Sequence, residues 1–117
     1  MKKPYYLLVA VLVAAVSGGP DESAWAGGGD PGKGKAVYEQ RCLACHGSQG
    51  KGDGPMGTLL VPPAADFTSA TSRKKSDADL LQIIEKGKPP TAMAAWKGQL
   101  SEQDIQHVLA YVKTLRK

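Results

Sequence analysis

The sequence predicts an all-α domain in which three main helices are joined by long loops. Three stretches carry helix start and stop signals around an apolar face. Between the first two, residues 47–75 are rich in Gly and Pro and show no sustained period of either 2 or 3.6 residues. No β-branched strand followed by a crossover helix precedes Cys42, which leaves no place for a βαβ unit.

The first helix opens at Asp30, a side chain suited to the N-cap, with Pro31 at the first helical position where its missing N–H is not needed. It runs through "DPGKGKAVYEQRCLAC" and delivers Cys42. The loop that follows holds Gly47, Gly50, Gly52, Gly54 and Gly57, then Pro62 and Pro63. Such a loop can wrap a flat group, and its glycines let backbone approach that group closely. A second helix starts at Ser76, with Asp79 three residues on, carries Leu80, Leu81, Ile83 and Ile84, and stops at Gly87 before Pro89 and Pro90. The third begins at Ser101 with Asp104 in capping-box spacing. Its apolar face is Ile105, Val108, Leu109, Val112 and Leu115, and the same period places His107 on the opposite, solvent side.

Residues 1–26 read as a secretory signal peptide. Lys2 and Lys3 precede the apolar run "YYLLVAVLVAAV", and a polar stretch ends in Ala24-Trp25-Ala26, an A-x-A cleavage site. An uncleaved anchor is the alternative. The domain is then 27–117, exported to the periplasm and without a membrane span once the leader is removed. Removal takes away Lys2, Lys3, Asp21 and Glu22, so the net charge of +4 is unchanged. A mildly basic surface suits acidic protein partners, whereas the lack of an arginine-rich tract or an aromatic platform speaks against nucleic acid.

Both cysteines lie in "RCLACHGSQGKGDG". A disulfide between Cys42 and Cys45 would close too few residues to restrain the unfolded chain much. A CxxC pair also serves thiol redox chemistry, half of a zinc site, or covalent haem attachment. Zinc needs four ligands in a structural site, and the only other candidates are His46 and the distant His107. Thiol redox pairs of the thioredoxin kind follow a strand of a βαβ unit. The residue that decides is His46, because CxxCH is the attachment signature of c-type haem: the two thiols add to the porphyrin vinyl groups and the imidazole lies beneath the iron. Candidates for a sixth ligand are Met56, Met93 and His107. Met56 lies only ten positions after His46 in a glycine-rich turn, whereas Met93, in the stiff loop "GKPPTAMAAWKGQLS", is better placed to reach the opposite face, with Trp96 over the haem edge.

From about Asp30 to Leu115 the chain resembles a class I cytochrome c of the small, exported bacterial kind. The resemblance is carried by "GKAVYEQRCLACHG", "GKGDGPMGTLLVPPAADF", "MAAW" and "LSEQDIQHVLAYVKTL", in that order. It implies the cytochrome c fold, with three main helices and long loops wrapped around one covalent haem. It implies that Gly34 and Tyr38 cross Val108 and Tyr111, that the Pro62 carbonyl accepts a hydrogen bond from His46, and that Leu59, Leu60 and Phe67 line the haem pocket. The implied function is a one-electron carrier of the periplasm, with haem c attached through Cys42 and Cys45 and iron ligated by His46 and Met93. Such a protein is not an enzyme; it is a monomer that docks on redox proteins with acidic surfaces. The alternative is a haem-bearing electron-transfer subunit of a periplasmic oxidoreductase complex.

Overall fold

The computed structural model describes residues 28–116, so the expected leader lies outside the described residues. Five α-helices follow in order: α1 Pro31–Arg41, α2 Leu43–His46, α3 Ala70–Arg73, α4 Asp77–Lys86 and α5 Glu102–Leu115, with a 3-10 turn at Gly57–Leu59. The three long ones are the three predicted. Among the described residues there is no β-strand, and no helix is long and apolar enough to cross a membrane.

Each long helix starts where a side chain satisfies its first free N–H groups. Asp30 Oδ1 accepts from Gly32 N at 2.8 Å, and Pro31 follows at the first position. At α4 the capping box is complete: Ser76 Oγ accepts from Asp79 N at 3.1 Å while Asp79 Oδ2 accepts from Ser76 N at 3.0 Å. Ser101 Oγ accepts from Asp104 N at 3.0 Å to open α5. α4 ends at Gly87, whose φ of 70° lies in the left-handed region that favours glycine.

The core is the crossing of α1 over α5. Gly34 sits directly on the backbone of α5, where any Cβ would run into the carbonyl of His107, so only glycine permits the approach. Beside it Tyr38, Val108 and Val112 form the buried cluster, and the rings of Tyr38 and Tyr111 meet edge to face with centroids 5.1 Å apart. The implied crossing pairs are therefore the observed ones. α4 joins this core through Ile84. The Asp77–Lys113 ion pair at 2.7 Å links α4 to α5, but both side chains are substantially exposed, so it contributes about 0–1 kcal/mol. Arg116 holds the α3–α4 junction more firmly, its Nη2 donating to the carbonyls of Ser72 at 2.6 Å and Lys75 at 2.8 Å.

Two sequence expectations need correcting. His107 is buried, 5% exposed, and not on a solvent face. The segment leading into α1 crosses α5 at that point, with Gly29 packed on the backbone of Gln106 and His107, and the Asp30 N–H donates to His107 Nδ1 at 2.7 Å. The face opposite the apolar stripe is thus covered by chain rather than water, which a helical period alone does not reveal. The second correction is that 47–75 is not all loop. It contains α3, capped by Ser69 Oγ accepting from Ser72 N at 3.1 Å, and the 3-10 turn, each too short to establish a period.

Candidate functional site

Cys42, Cys45 and His46 sit on one helical turn at the end of α1. The Cys42 N–H donates to Tyr38 O at 2.8 Å, and the Cys42 carbonyl accepts from the N–H groups of Cys45 at 3.2 Å and His46 at 2.9 Å. This closed turn sets both sulfurs and the imidazole on neighbouring positions of a single rigid segment. The thiols are free and half-buried. Burial first, and the neighbouring Cys45 second, push the Cys42 thiol up to about 11, so it is protonated at neutral pH.

The turn is short, so its carbonyls need partners from elsewhere. The glycine-rich loop supplies them. Gly52, Gly54 and Met56 donate their N–H groups to the carbonyls of His46 at 2.8 Å, Cys45 at 3.2 Å and Ala44 at 2.8 Å. The Gly47 carbonyl accepts from Gly50 N at 3.2 Å and also from a side chain, the buried Tyr38 hydroxyl, at 2.5 Å. Glycine is needed here for a reason the sequence did not show. At Gly54 and Gly57 a Cβ would collide with the carbonyls of Ala44 and Cys45, so these residues press on the backbone of the motif itself.

Beyond the loop the chain returns to the imidazole. His46 Nδ1 lies 3.1 Å from the Ala65 carbonyl, and the His46 ring stacks on Phe67 with centroids 4.6 Å apart and planes at 19°. A carbonyl only accepts, so Nδ1 carries the proton and Nε2 keeps its lone pair. Burial lowers the His46 pKa, opposed by the Ala65 bond that raises it, and the neutral ring is favoured. The expected acceptor, Pro62, is corrected by this geometry: Pro62 is exposed, and the chain needs three more residues before a carbonyl comes back beneath the ring. A backbone carbonyl has no mark in a sequence, so only its approximate position was accessible.

The remaining candidates lie on other segments. Met93 is half-buried in the loop between α4 and α5, and Trp96, also half-buried, has the Arg41 guanidinium carbon 6.0 Å from its ring centre. Met56 is exposed. His107 belongs to the α1–α5 crossing, with the Asp30 N–H on its Nδ1.

These residues fit a c-type haem. Two thiols and an imidazole with a free Nε2 share one turn, and beside them the loop leaves Met56, Leu59 and Val61 uncovered, at 52%, 75% and 98% exposure. Three large apolar side chains facing water in one short loop are what a flat hydrophobic group would shield. The family described as cytochrome c oxidase, cbb3-type, subunit III matches residues 29–112. The chain belongs to the class I cytochromes c.

The cytochrome is 35% identical over 95 residues to cytochrome c-554(547) of Halothiobacillus neapolitanus, covering 75% of this chain and 99% of that one. It is 33% identical over 116 residues to the cbb3-type cytochrome c oxidase subunit FixP of Bradyrhizobium diazoefficiens, covering 98% of this chain but only 36% of FixP. This chain thus corresponds to about a third of that subunit. Among solved structures, cytochrome c6 from the diatom Phaeodactylum tricornutum superposes with a TM-score of 0.56 at 25% identity, covering 74% of this chain and 93% of that one. The all-α cytochrome c fold, a covalently bound c-type haem and electron carriage follow from this membership.

Proposed function

We propose that this cytochrome is a periplasmic shuttle for single electrons. Cys42 and Cys45 would form the thioether links to haem, His46 and Met93 would ligate its iron, and Trp96 would cover its edge. One observation carries the reading: the Ala65 carbonyl occupies His46 Nδ1, which fixes the tautomer and leaves Nε2 as the ligand atom. The bound haem supplies a reversible one-electron iron couple, whose potential a methionine thioether raises. Phe67 keeps the imidazole plane from turning, and the loop bonds to Ala44, Cys45 and His46 hold the attachment turn closed. No bond to a substrate is made or broken, so the chain by itself is not an enzyme.

Export rests on the leader at 1–26; mass spectrometry of the periplasmic protein is expected to find Gly27 at its N-terminus. Lys51, Lys86, Lys88 and Lys97 are all exposed and flank the loops around the site. They support docking of the monomer on acidic redox partners, with association rates that fall as salt rises. The reading is tested by the absorption spectrum of ferric protein matured with haem. A weak charge-transfer band at the red edge, present in the wild type and lost in Met93→Ala, is the expected result; its absence from the wild type overturns His/Met ligation.

The match to FixP, a subunit much longer than this chain, favours a second reading: a haem-bearing electron-transfer subunit of a periplasmic oxidoreductase complex. Stable co-purification with a catalytic subunit would distinguish it from a free shuttle.

A further inference from the structure

The loop that carries Met93 is built on the end of α4. The Gly87 N–H donates to Ile83 O at 2.8 Å, and those of Trp96 and Lys97 to the carbonyls of Ile84 at 3.0 Å and Glu85 at 3.1 Å. Within the loop, Lys88 N donates to Met93 O at 3.2 Å, Thr91 N to Lys88 O at 2.8 Å, and Met93 N to Thr91 Oγ1 at 3.3 Å. Met93 is therefore held in a self-bonded loop with both ends fastened to α4. The attachment turn, by contrast, is fastened to α1. A ligand on this loop and a thiol on that turn must be kept in register if both are to serve one flat group.

The two halves meet at Trp96. The guanidinium carbon of Arg41 lies 6.0 Å from the centre of its ring, and Arg41 is the last residue of α1, adjacent to Cys42. We propose that Arg41 is a positioning residue for the methionine loop: placed over the Trp96 ring, it ties the segment bearing Met93 to the helix end bearing Cys42. The proposal rests on Met93 as the sixth ligand. A basic residue in the last turn of a helix is also favoured by the helix dipole, but that effect does not depend on Trp96.

The test uses imidazole added to the ferric holoprotein, which reaches the iron only as the Met93 loop opens. Arg41→Gln is expected to raise its apparent affinity about two- to five-fold, the range an exposed cation–π pair supplies. Trp96→Leu is expected to raise it at least as much, and the double variant no further than Trp96→Leu alone. Additive effects, or an Arg41→Gln variant that binds imidazole as the wild type does, overturn the proposal. Met93→Ala is the separate arm. If it keeps the red-edge ferric band, the ligand assignment fails and the proposal with it, a result distinct from additivity in protein whose methionine ligation is intact.

Discussion

The hydroxyl of Tyr38, a residue with no exposed surface, donates to the carbonyl of Gly47 at 2.5 Å, so the core of the α1–α5 crossing is bonded directly to the residue after His46. Burial, more than the neighbouring Cys42, Tyr111 and Asp53, raises the pKa of this hydroxyl and keeps it a donor. Tyr38→Phe keeps the ring and its contact with Tyr111 but removes the shorter of two hydrogen bonds to this carbonyl, leaving only that from Gly50 N at 3.2 Å. The expected outcome is a loss of about 0.5–1.5 kcal/mol in the unfolding free energy of the holoprotein, read by guanidinium titration. A change within error of zero would mean that the Gly50 N–H suffices for the Gly47 carbonyl.

Gly57 and Gly98 offer opposite kinds of substitution. A Cβ at Gly57 meets the Cys45 carbonyl, whereas at Gly98 it meets nothing within 4 Å and the only penalty is a φ of 87°. Gly57→Ala must push the loop off the attachment turn, so the yield of covalently attached haem is expected to fall several-fold. Gly98→Ala is expected to mature normally and to lose about 1–2 kcal/mol of stability. Equal haem yields in the two variants would show that the loop does not brace the turn.

The capping box of α4 gives a pH dependence with a definite sign. The backbone N–H and the hydroxyl of Ser76 hold the Asp79 carboxyl below the usual carboxylate range. Because the folded-state value is the lower one, this stabilisation is present above the unfolded value of about 3.9 and is lost as pH falls through the depressed folded value. Asp79→Asn is expected to leave a shallower loss of helicity below about pH 4, followed by far-ultraviolet circular dichroism. A profile that overlays the wild type would remove Asp79 from the acid response.

What the sequence disclosed and what it hid divide along physical lines. Asp30, Ser76, Ser101 and Gly87 act through their own side chain or its absence within a turn or so of the chain, so each helix boundary they mark was legible. The CxxCH spacing was legible for the same reason, since three consecutive local contacts close one turn. His107 was misplaced because its environment comes from Gly29 and Asp30, over seventy residues away in sequence. Ala65 was missed because it acts through a backbone carbonyl, which every residue possesses. The glycines after His46 were noticed, but their role as space for the motif's own carbonyls depends on how the loop folds back.

The distribution of buried apolar side chains bears on how far the chain folds before haem is attached. The buried hydrophobic residues are Tyr38, Leu80, Ile105, Val108, Leu109 and Val112, all on α1, α4 and α5. In the stretch 47–69 only glycines are buried, so that part of the domain has no apolar core of its own. A domain of about 90 residues with so few buried side chains is marginal against the entropy of ordering its loops. Haem, clamped between the motif and the loop, would bury Leu59, Val61 and their neighbours and supply the missing contact area. The double variant Cys42→Ala, Cys45→Ala, made without haem, is therefore expected to unfold without a cooperative transition and to exchange the amides of Gly52, Gly54 and Met56 rapidly. A sharp thermal transition with those amides protected would mean that the α1–α5 crossing and the Tyr38–Gly47 bond order the site unaided.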